Sequence, residues 1–176
     1  FNRATYDAFY PGYVDMWPTV HGAVGMTYEQ ASARALVLRR DDGDLLTYGD
    51  GVLHHFTAAI QTAETAAVNR DRILRDYLAF RRSAVALGAE GPAELVLSSD
   101  HDKGMAARLA RNLVLNGIEV YAASGPVTIG DRTLPADNAF IIPGAQPAYR
   151  MIRNLLDADT EMEPDYVRRQ NERRAL

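Results

Sequence analysis

The carboxylate of Glu29 closes the segment Gly22-Ala-Val-Gly-Met-Thr-Tyr-Glu29-Gln-Ala31, in which small and large apolar residues alternate between two glycines. Such a run predicts a short buried strand over Ala23 to Tyr28, closely approached by another backbone or a ligand, with Glu29 at its mouth. Most carboxylates in such places are solvated or salt-bridged, so proton-transfer chemistry has to be argued from the surroundings. Metal partners for it are sparse. The histidines are His21, His54, His55 and His101, and without any cysteine thiolate ligands and thiol nucleophiles are excluded. His21 precedes the glycine segment, in a position from which it is expected to line a cleft there, but it is not read as a ligand. His54 and His55 are adjacent, so on a helix they point about 100° apart and do not share a metal as an i,i+4 pair does; they are read as helix surface and helix packing. Asp100-His101-Asp102 follows a predicted strand, where α/β folds gather ligand-binding residues. The preferred reading there is a helix N-terminal loop, with Asp100 or Asp102 capping a helix that starts at Lys103. Gly22-x-x-Gly25 lacks the lysine and further glycines of a phosphate loop. The arginine pairs 81–82, 168–169 and 173–174 have acids nearby and read as helix surface.

The elements that must position these residues follow from period and turn chemistry. Residues 1–21, with Phe9-Tyr-Pro-Gly-Tyr13 and Trp17-Pro18, read as an irregular aromatic loop. Ala35 to Arg39 and Leu45 to Tyr48 flank Asp41-Asp-Gly-Asp44 as a β-hairpin. A long helix is predicted from an N-cap at Asp50 to about Leu87, ended by Gly88, on the spacing of Val52, Leu53, Phe56, Ile60, Ala63, Leu74, Tyr77 and Val85. The glycines and proline of 88–92 mark a linker between residues 1–87 and 93–176. Beyond it, Ala93 to Ser98, Lys103 to Asn116 and Ile118 to Ala122 read as a β-α-β unit with a right-handed crossover and a parallel strand pair. A small hairpin around Gly130, a strand over Ala139 to Ile142, a helix over Gln146 to Leu156 and a charged helical tail from Pro164 complete an α/β reading.

Composition narrows the partners. At 176 residues and 47% hydrophobic content the chain can bury a core in one domain or two small ones. The net charge is −4, and 18 arginines and one lysine are scattered among 23 acids, which argues against nucleic acid. No apolar run reaches the roughly 20 residues of a membrane-spanning helix. The chain opens on Phe1-Asn-Arg, so it is read as a piece of a longer protein.

Phe9-Tyr-Pro-Gly-Tyr13, Trp17-Pro18 and Gly22-Ala-Val-Gly-Met-Thr-Tyr-Glu29-Gln30, together with Ala139-Phe-Ile-Ile-Pro-Gly-Ala-Gln-Pro147, resemble a bacterial branch of the zinc carboxypeptidases of the carboxypeptidase A-like superfamily. The resemblance spans the chain, is most specific over the first 31 residues, and includes a C-terminal domain similar to class I glutamine amidotransferases. It implies the C-terminal piece of a carboxypeptidase-like α/β/α domain (strand, hairpin, long helix) followed by a small accessory α/β domain. It implies that Glu29 is the general base and acid of a zinc hydrolase, since a zinc-bound water has a pKa near 7 and yields its proton to a neighbouring carboxylate. It also implies that Tyr13, or its rival Tyr10, is the mobile tyrosine that covers the substrate; packing of the loop is the alternative. The family's His-x-x-Glu does not occur here, so the zinc ligands are expected upstream of this chain, none within it, and the fragment alone is expected to be inactive.

The leading expectation is a metallocarboxypeptidase-like hydrolase acting on peptide or peptidoglycan-type amide bonds, completed by an N-terminal part of the same protein. A secreted or periplasmic location would accord with the resemblance. The alternative is a noncatalytic relative that binds peptides or cell-wall fragments. An amidotransferase-like activity of the second domain is disfavoured by the missing cysteine, and no Gly-x-Ser-x-Gly elbow is present.

Overall fold

A computed structural model describes residues 12–30, 33, 36–99, 101–159 and 162–174. The chain is a mixture of helices and small antiparallel sheets, which agrees with the α/β class. It divides into two compact units, Phe1–Arg82 and Ser83–Leu176.

The first unit begins, within the described residues, with a one-turn helix α1 (Met16–Val20) where the sequence predicts irregular loop. Pro18 lies in its first turn, where a missing N–H costs nothing. Gly22, at φ +97°, turns the chain out of α1. The predicted hairpin is present: β1 (Val37–Arg39) pairs antiparallel with β2 (Leu45–Thr47), Leu38 facing Leu46. Gly43 supplies the positive φ, +92°, of its turn.

Helix α2 (Tyr48–Val68) starts earlier than predicted. Thr47, not Asp50, is the N-cap: its Oγ1 accepts from Asp50 N–H at 3.1 Å, and Asp50 Oδ2 accepts from Thr47 N–H at 2.8 Å. Asp50 is the third helical residue of a capping box. Asn69 interrupts the predicted long helix. The i→i−4 bonds from Asn69 N to Thr65 O and from Ile73 N to Asn69 O, both 3.0 Å, carry the spacing into α3 (Arg70–Glu90).

Gly88 does not end the helix. It is buried inside α3, and a Cβ there would overlap the carbonyl of Gly144, so the position requires glycine for packing. The stop falls at Gly91-Pro92, because proline disfavours the helical conformation for the residue before it.

The second unit holds most of the described core. Strands β3 (Glu94–Leu97), β4 (Tyr121–Ala122) and β7 (Phe140–Pro143) form one sheet in the order β3-β7-β4. Helix α4 (Lys103–Leu115) joins β3 to β4, as the sequence predicts, but the two strands do not pair. Each runs antiparallel to β7, with Leu97 and Ala122 both opposite Phe140. The predicted adjacent parallel pair is therefore split by a later strand, which a local strand-helix-strand pattern does not encode. Strands β5 (Val127–Ile129) and β6 (Arg132–Leu134) form the predicted hairpin around Gly130. Helices α5 (Tyr149–Leu156) and α6 (Pro164–Arg174) follow.

Ala106, Ala110 and Leu113 of α4, Ile118, Ile142 of β7, and Met151 and Ile152 of α5 are buried. Gln146, 1% exposed, joins two loops: its Oε1 accepts from Glu119 N–H at 2.7 Å, and its Nε2 donates to Pro143 O at 2.7 Å and to Glu119 O at 3.2 Å.

Candidate functional site

The glycine segment does not form the buried strand that its alternation predicts. Residues 23–30 run without turn or bend, yet they join no described ladder, and residues 23–29 are exposed. The described strands of the first unit, β1 and β2, pair with each other and with no part of this segment. The period of two nevertheless survives in space. Val24, Met26 and Tyr28 line an apolar groove of about 730 Å³ against Ala58, Thr62, Thr65, Ile73 and Tyr77 of α2 and α3. Gly25 and Thr27 instead meet α1 and its approach. A Cβ on Gly25 would overlap Asp15 O and Thr19 Oγ1, and Thr27 Oγ1 donates to Asp15 Oδ2 at 2.8 Å. The expectation of a close backbone approach at this glycine holds.

That contact draws the loop carrying Tyr13 toward the end of the segment. Tyr13, Val14, Asp15 and Pro18 on one side, and Val24 to Glu29 on the other, line one open cleft of about 720 Å³. Tyr13 and Glu29, sixteen positions apart, thus border the same cavity. Tyr13 is 46% exposed and Glu29 is exposed as well. Tyr10 lies outside the described residues.

Glu29 also borders a second, smaller concavity of about 170 Å³, with Thr27, Tyr28, Gln30, His54, His55 and Ala58. Here the sequence reading fell short. His54 and His55 do stand on the exposed side of α2, but they face the glutamate's cavity. His54 Nδ1 lies 3.1 Å from Gln30 Oε1. An amide oxygen only accepts, so Nδ1 carries the hydrogen. No spacing signal links positions 30 and 54; a helix laid beside the segment makes the contact. Tyr28 is tied to the same helix, its hydroxyl 2.5 Å from Thr62 Oγ1 and 3.0 Å from Met26 Sδ.

His21 follows α1 and packs on it, its ring centroid 4.4 Å from that of Trp17. Its Nε2 is buried with no hydrogen-bond partner among the described residues. Burial, and secondly the Arg81 guanidinium, hold its pKa below the ordinary imidazole value. Asp102 caps α4, accepting from Met105 N–H at 3.1 Å, while His101 is exposed. This is the capping reading of the Asp100-His101-Asp102 motif; Asp100 lies outside the described residues. Asn138 holds the loop before Asp102 by donating to Ser99 O at 2.7 Å.

Among the described residues, no group of three or more histidine, aspartate or glutamate side chains is arranged to hold a metal ion. Glu29, His54 and His55 share a cavity without forming a ligand set, so the residues described do not fit a zinc site. No protein-family model matches the chain, and no curated protein or solved structure is significantly similar to it.

Proposed function

We propose that this chain supplies the proton-transfer side of an amide-hydrolysing site of the metallocarboxypeptidase type, with Glu29 as the base and Tyr13 as the hydroxyl that covers the substrate. Tyr10 is the alternative for the second role. The observation that carries the reading is the common cleft of Tyr13 and Glu29, two residues singled out independently of their meeting in space. A cleft of about 720 Å³ has room for a short peptide segment. In a reaction of this class, water adds to the amide carbonyl carbon as the carboxylate takes its proton; the C–N bond then breaks and the carboxylic acid returns that proton to the leaving nitrogen. One carboxylate serves both steps. The finer fold assignment belongs to the same proposal: 1–87 as the end of a carboxypeptidase-like domain and 93–176 as its accessory domain. On this reading zinc is held by residues upstream of this chain, and the substrate is a peptide or a peptidoglycan-type amide.

Glu29→Gln in the intact protein tests it. Removing the base while keeping the shape should lower hydrolysis by about 10² to 10⁴-fold with the metal content unchanged. Release of the terminal amino acid from model peptides is the assay, and retained turnover would refute the assignment.

The apolar groove behind Val24, Met26 and Tyr28 favours a second reading, a noncatalytic relative that binds peptides or cell-wall fragments. Saturable peptide binding by the intact wild type without any hydrolysis would support it over the first.

A further inference from the structure

We propose that the small concavity beside Glu29 is a subsite for a carboxylate, taking the acidic side chain of a substrate residue next to the bond approached by Glu29. The proposal rests on the site reading above and names the substrate class it would take.

The donors converge from two elements. Gln30 enters from the segment, and His54 and His55 from α2, around about 170 Å³, ample for an aspartate or glutamate side chain. The 3.1 Å contact occupies Gln30 Oε1 and fixes the hydrogen of His54 on Nδ1. Both Nε2 hydrogens of Gln30, and the ring nitrogens left over on His54 and His55, have no protein partner among the described residues. They are the groups a carboxylate would engage. The neighbouring hydroxyls have other partners, Thr27 on Asp15 and Tyr28 on Thr62 and Met26.

Among the described residues, one negative charge borders this subsite, Glu29 from the segment. Asp50, one turn before His54 on α2, is held by the N–H and hydroxyl of Thr47. Glu29 opposes an acidic ligand. A carboxylate accepts from the Gln30 amide and from ring N–H groups with a full negative charge, whereas a carboxamide of the same shape has no charge to pair with an imidazolium.

The chain itself provides the test. N-acetylglutamate amide and N-acetylglutamine amide, titrated at about pH 6, where an ordinary histidine is largely protonated, are compared by the imidazole signals of His54 and His55. The acid should shift both signals with a Kd about tenfold below that of the amide, and a joint His54→Gln, His55→Gln variant should lose the difference. Glu29→Gln should tighten binding of the acid, the opposite of its expected effect on hydrolysis, so this proposal and the catalytic reading fail separately. Equal affinity for the two probes, or shifts confined to other residues, would overturn the subsite.

Discussion

His21 shows how one buried atom ties this site to pH. Its imidazole sits on Trp17 with Nε2 unpartnered among the described residues, and its pKa lies below the ordinary 6.5. Above that value the ring is neutral in both folded and unfolded chain and has no effect on stability. As pH falls through 6.5 toward the lower folded value, the unfolded chain takes up the proton first, and stability is lost across that window. The urea midpoint should drop between about pH 7.5 and pH 5.5, and His21→Phe, which keeps a ring against Trp17, should remove that part of the drop. Parallel curves for the two proteins would contradict this account. At the same scale, Gly25 was legible as a position of close approach because alternation beside glycine implies one. The partner, Asp15 O, was not, since no local pattern says which backbone arrives.

At the scale of elements, the start of α2 depends on a reciprocal pair of hydrogen bonds. Thr47-x-x-Asp50 satisfies donors at the helix N-terminus, and the bonds from Thr47 N–H and then its hydroxyl lower the pKa of Asp50. Thr47→Ala should cost about 1 kcal/mol, read as a lowered denaturation midpoint. Because α2 carries His54 and His55 against Glu29, the same variant should also loosen the small concavity, visible as faster amide exchange at the start of α2. An unchanged midpoint and unchanged exchange would show that the cap is dispensable. The hairpin and α4 were readable from turn residues and period, both local properties. The end of α3 was misread because Gly88 serves packing against Gly144, a contact 56 positions away in sequence.

At the scale of the whole chain, burial is uneven. Most buried side chains belong to residues 83–176, whereas no residue of α2 is buried and Val52, Leu53, Phe56 and Ile60 are each more than half exposed. These residues recur at helical spacing and form one apolar face of α2. No helix among the described residues is long and apolar enough to cross a membrane. The sequence holds no His-x-x-Glu and no cysteine, and the proposed function puts the zinc ligands upstream, so after dialysis against metal-free buffer the purified chain should retain far less than one zinc per molecule. Stoichiometric zinc by metal analysis would overturn the placement of the ligands outside it.

By itself the sequence determined the local choices: where most of the longer helices lie, where the hairpins turn, that a carboxylate ends a glycine-bounded apolar run, and that cysteine chemistry is excluded. These follow from backbone and side-chain preferences over a few neighbouring residues. Tertiary structure alone decided that β7 lies between β3 and β4, that Tyr13 shares a cleft with Glu29, and that Gln30 orients His54. Each joins residues far apart in sequence, and such pairings are set by which surfaces bury one another, a competition that no local pattern records.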